Sequence, residues 1–79
     1  MRHIQHTVKT FITPAGKDEG EMIQEWQESY DPEHPLEALV TGQVQQLEAI
    51  YFMTKHKLSR ERYDVHTVLF DASYDDIDD

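Results

Sequence analysis

The sequence predicts a small α+β domain, a strand-helix-helix-strand chain in which two antiparallel strands pack on a helical hairpin. Three observations lead there: β-branched runs at both ends, a long apolar stripe at helical spacing in the middle, and proline or glycine punctuation between them. A length of 79 residues allows one domain with a small core.

The first strand is expected over His3 to Thr13, where Ile4, Val8 and Ile12 share one side and Thr7 and Phe11 the other. Pro14-Ala15-Gly16 ends it. From Asp18 to Tyr30 the residues Met22, Ile23, Trp26 and Tyr30 recur at helical spacing, and Asp18, Glu19 and Glu21 suit a helix N-terminus, so a first helix is predicted. Asp31-Pro32-Glu33-His34-Pro35 breaks it, with Asp31 as the expected N-cap and Pro32 as the first residue of the next element.

The second helix is expected over Leu36 to Leu58. Leu36, Leu39, Val40, Val44, Leu47, Ile50, Tyr51 and Leu58 form its main apolar stripe, the expected core face. Tyr63 to Ala72 reads as a closing strand with apolar residues on both faces. The domain then covers 1–72, with 73–79 as a flexible acidic tail. Two strands alone are marginal in water, so edge pairing with a second copy, giving four strands in a homodimer, is the expected relief.

Sixteen acidic against seven basic residues give a net charge of −9, which opposes direct binding to nucleic acid phosphates or an anionic membrane. With no cysteine, disulfides and thiolate metal sites are excluded, which fits a cytoplasmic protein. There is no apolar run of bilayer length and no signal-peptide block near the N-terminus, so a soluble protein is expected.

Acids define the first candidate site. On the predicted first helix, Asp18, Glu21, Glu25 and Glu28 lie within about 80° of one another, with Trp26 on the apolar side. Four carboxylates over about 15 Å are too dilute to imitate duplex DNA, which carries a charge about every 1.7 Å. A protein partner with a basic surface is the better fit. A second candidate is the back of the second helix, where Ala38, Gly42, Ala49 and Phe52 oppose the main stripe and Gly42 suggests close approach of another helix, from the same chain or a partner.

Lys55, His56, Lys57, Arg60 and Arg62 form a basic cluster after that helix, where cations complement its C-terminal dipole. The five histidines lack metal-ligand spacing, although His6 and His66 would meet if the terminal strands paired suitably. No phosphate-binding loop, nucleophile elbow or dinucleotide fingerprint is present, so neither an enzyme, a cofactor nor a metal is expected.

In composition the chain is similar to small inhibitors and adaptors, many of them encoded by bacteriophages and mobile elements. The leading expectation is therefore an inhibitor or adaptor that occludes a surface of a partner protein, with Asp18, Glu21, Glu25, Trp26, Glu28, Gly42 and Phe52 as contact residues. A self-associating structural protein is the alternative, and a metal-assisted enzyme using histidines and carboxylates is the third reading.

Overall fold

The computed structural model describes residues 2–75, and the side-chain surroundings of residues 4–73. The elements in order are β1 (Arg2–Pro14), a 3-10 turn (Glu19–Glu21), β2 (Gln24–Ser29), α1 (Pro35–Lys55) and β3 (Tyr63–Asp75). The class is α+β. The element order is strand, strand, helix, strand, and a three-stranded antiparallel sheet in the order β2-β1-β3 replaces the expected pair of strands.

β1 is the central strand because its run from Thr7 to Thr13 is buried at every position but Lys9, a pattern that only a strand flanked on both sides satisfies. Its pairing with β3 extends from Arg2 opposite Asp75 to Pro14 opposite Tyr63. That antiparallel pairing of the two terminal strands agrees with expectation. β3 continues through Asp75, three residues into the segment read as tail, and residues 76–79 lie outside the described residues.

The predicted first helix is absent from the described residues. Asp18 caps a single 3-10 turn by accepting a hydrogen bond from the Gly20 amide at 3.0 Å, and the chain then runs as β2 against β1, with Thr10 opposite Trp26 and Ile12 opposite Gln24. Two physical terms favour this outcome. Gly20 would cost about 1 kcal/mol inside a helix, and a helix of a dozen residues needs a packed face to persist. As a strand, the same residues satisfy the second edge of β1, which a two-stranded sheet would leave open.

α1 starts within one residue of the expected Leu36 but is capped differently than predicted. His34 is its N-cap, without a side-chain capping bond, and Pro35 is its first residue. Asp31 instead closes the preceding turn, its carboxylate accepting from the Glu33 amide at 2.9 Å and its carbonyl accepting from the His34 amide at 2.9 Å. At the other end the Leu58 amide donates to the Met53 carbonyl and the Lys57 amide to the Thr54 carbonyl, with Lys57 at φ 57° in the left-handed position usually held by glycine.

The helix lies over the sheet on the opposite side from the one its main stripe predicts. Its buried residues are Ala38, Gly42, Gln45, Ala49 and Met53. Small residues let it sit close: a Cβ at Gly42 would lie 3.4 Å from the Thr67 methyl and 3.6 Å from Val8. Gly42 is thus approached by the sheet rather than by another helix. Ile12, Ala49 and Met53 form the core, with Trp26, Phe52, Leu58, Tyr63 and Val65 packed around it.

A buried polar chain fixes this orientation. The Thr10 hydroxyl donates to Gln45 Oε1 at 2.9 Å, and Gln45 Nε2 donates to the Val8 carbonyl at 3.1 Å. Thr67 joins at 2.7 Å from Thr10 and accepts from Gln46 at 2.9 Å. Turning the helix by half a revolution would break both Gln45 bonds and set leucine and valine side chains against the Thr10 and Thr67 hydroxyls, a loss of about 0.5–1.5 kcal/mol per hydrogen bond.

Candidate functional site

The outward face of α1 is a direct consequence of this seating. Leu36, Leu39, Val40, Val44, Leu47, Ile50 and Tyr51 remain between 40% and 73% exposed. With Gln43 and Thr54 they fill an arc of about 140° at 100° per residue, and no residue in that arc is charged. The whole helix carries three charged residues, Glu37, Glu48 and Lys55, all on one flank of the arc.

Among the described residues, six apolar side chains are buried while eleven large ones are exposed. Monomeric proteins seldom present so continuous an apolar stretch unless something covers it. On the β2 side the stripe opens into a cleft of ≈590 Å³ lined by Trp26, Val44, Leu47, Tyr51 and Phe52, with Glu48, Lys55 and His56 at its rim. Trp26 meets Phe52 edge-on at 5.8 Å between ring centroids, which fixes the floor of this cleft.

The expected acidic face is not assembled. Asp18 is occupied in capping and Glu21 ends the 3-10 turn. Glu25 and Glu28 project from opposite faces of β2, as residues an odd number apart on a strand must. Glu25 reaches Lys9 at 3.7 Å, and Glu19 is ion-paired to the same ammonium. Lys9 also stands 5.7 Å from the Phe11 ring centroid and 5.5 Å from that of Phe70, so this cation holds the face of the sheet turned away from α1. Of the seven predicted contact residues, Trp26 and Phe52 come together at the cleft, and Gly42 is buried on the sheet-facing side of α1.

His6 and His66 do not meet. His6 pairs with Asp71 at 2.7 Å, whereas His66 stacks on Phe11 at 4.8 Å and hydrogen bonds to Thr13 at 2.9 Å on the opposite face. Among the described residues no group of three potential metal ligands is assembled. Lys55, His56, Lys57, Arg60 and Arg62 are all exposed where α1 gives way to β3. The Asp31 carboxyl is held below the ordinary aspartate range first by the Glu33 amide and then by His34.

The residues of the outward face form a visible stripe in the sequence, which periodicity alone assigns to the interior. The sign that they lie outside is the second, small-residue arc of Ala38, Gly42 and Ala49, the arc that a sheet can approach closely. Among the described residues, no helix is long and apolar enough to cross a membrane, so the stripe is not a bilayer span. No protein-family model, curated protein or solved structure matches this chain.

Proposed function

We propose that this chain is a small protein-interaction module that works by occupancy, as an inhibitor or adaptor, with the outward face of α1 as its contact surface. The observation that carries the reading is the uncharged arc from Leu36 to Thr54 left exposed in a chain of net charge −9. Charge depletion with exposed aromatic and aliphatic anchors is the composition of an interface centre. Tyr51 and Leu47 beside the Trp26–Phe52 cleft supply the anchors.

Site-specific photo-crosslinking tests this. A photoreactive residue in place of Leu47 is expected to give a discrete protein adduct, and one in place of Glu28 is not. Adducts at Glu28 with none at Leu47 would overturn the assignment of the surface.

A basic partner surface is the second reading, supported by Glu25 and Glu28 standing exposed on β2, an edge strand of the sheet. Its mark would be weakening of partner binding as salt shortens screening to about 8–10 Å. An apolar α1 contact depends far less on salt.

A further inference from the structure

Resting on the reading of α1 as the contact surface, we propose that its occupant in the free protein is a second copy of this chain. The two α1 helices pair antiparallel across a two-fold axis and are sandwiched between two three-stranded sheets. The charge layout singles out this arrangement. Glu37 and Lys55 are eighteen residues apart, about five helical turns, so they sit on the same flank of the stripe near its two ends. A two-fold at the level of Gln45 and Gln46, on the stripe side of the helix, sets each Glu37 beside the partner's Lys55 and brings Val40 towards the partner's Tyr51 and Leu39 towards the partner's Ile50.

Parallel pairing would instead place the two charged flanks on opposite sides of the seam, where neither Glu37 nor Lys55 meets an opposite charge. The helix dipoles agree with the antiparallel choice, since each positive end then lies beside a negative one. Beyond the helix the same symmetry brings the acidic approach of Asp31 and Glu33 toward the partner's basic cluster at Lys57 and Arg60. An isologous interface requires such self-complementarity, and one surface carries both halves of it here.

The area is adequate. Seven side chains exposing roughly 100 Å² each offer about 700 Å² per protomer, close to the ~800 Å² of a standard interface. Little of the −9 is set face to face across this seam, because α1 carries only two acids, Glu37 and Glu48.

The test is sedimentation of the full chain from low to high micromolar concentration, with three variants. Wild type is expected to sediment as a dimer and Leu47→Glu as a folded monomer by circular dichroism. Glu37→Lys is expected to weaken association roughly 3- to 30-fold by creating two cation–cation contacts, and Glu37→Lys combined with Lys55→Glu to restore it. The charge exchange keeps the test decisive even if Leu47→Glu does not fold. A dimer that persists in Leu47→Glu, or an exchange that fails to restore association, overturns the antiparallel pairing. A strictly monomeric wild type overturns self-pairing, and a Leu47 photo-adduct with a different protein would then show that the contact-surface reading survives it.

Discussion

Truncating one residue on each side of α1 separates the two ways this helix could be seated. Met53 is 2% exposed and packs against Ile12 and Ala49, so Met53→Ala removes a fully buried side chain and leaves a cavity. The expected cost is about 2–5 kcal/mol. Leu47 is 67% exposed, so only about a third of the ~1.5–3 kcal/mol available from burying a leucine is present in the monomer. Leu47→Ala should therefore cost no more than about 1 kcal/mol. At about 4–8 °C per kcal/mol for a domain of this size, Met53→Ala lowers Tm by at least about 8 °C and Leu47→Ala by a few degrees. The assay is urea or thermal denaturation at the lowest workable protein concentration, where association contributes least. If Leu47→Ala proves the costlier of the two there, the stripe faces the core and the small-residue arc does not.

Three further outcomes rest on local geometry. Lys57→Gly should stabilise the fold by about 1 kcal/mol, because the left-handed backbone at φ 57° is free for glycine and costs other residues about 1–2 kcal/mol; a loss on chemical denaturation would contradict this. Gly42→Ala should be neutral or stabilising by up to about 1 kcal/mol, since its Cβ would meet Thr67 and Val8 at ordinary contact distances, while Gly42→Leu should unseat the helix and be strongly destabilising. The Asp31 carboxyl, followed by NMR, should titrate below the ordinary aspartate value. Because its folded pKa is depressed, its contribution to stability is present above the unfolded pKa of about 3.9 and is lost as pH falls through the folded value; titration at or above 3.9 would rule this out.

Local pattern sufficed for β1, α1 and β3, because β-branched runs and a 21-residue amphipathic segment have few alternatives. It failed for β2. Met22, Ile23, Trp26 and Tyr30 satisfy helical spacing, yet the open edge of β1 captured Gln24–Ser29 through six paired positions, and Gly20 was the local sign against a helix. The orientation of α1 was harder still. Periodicity identifies apolar arcs but not what will cover them, and α1 has two. The close approach at Gly42 and the Gln45–Thr10–Thr67 hydrogen bonds bring the smaller arc to the sheet, and that choice depends on residues 25 or more positions apart. The pairing of Lys9 with Glu19 and Glu25 was equally out of reach, since only the hairpin brings them together.

For the α1 face the most direct measurement is the solution mass of the full chain as concentration rises, compared with that of Leu47→Glu. The structure predicts a concentration-dependent approach to twice 9.3 kDa for the wild type and a constant 9.3 kDa for the variant, with matching circular dichroism where both are folded. A wild type and a variant that sediment identically at every concentration would contradict pairing through the outward face of α1.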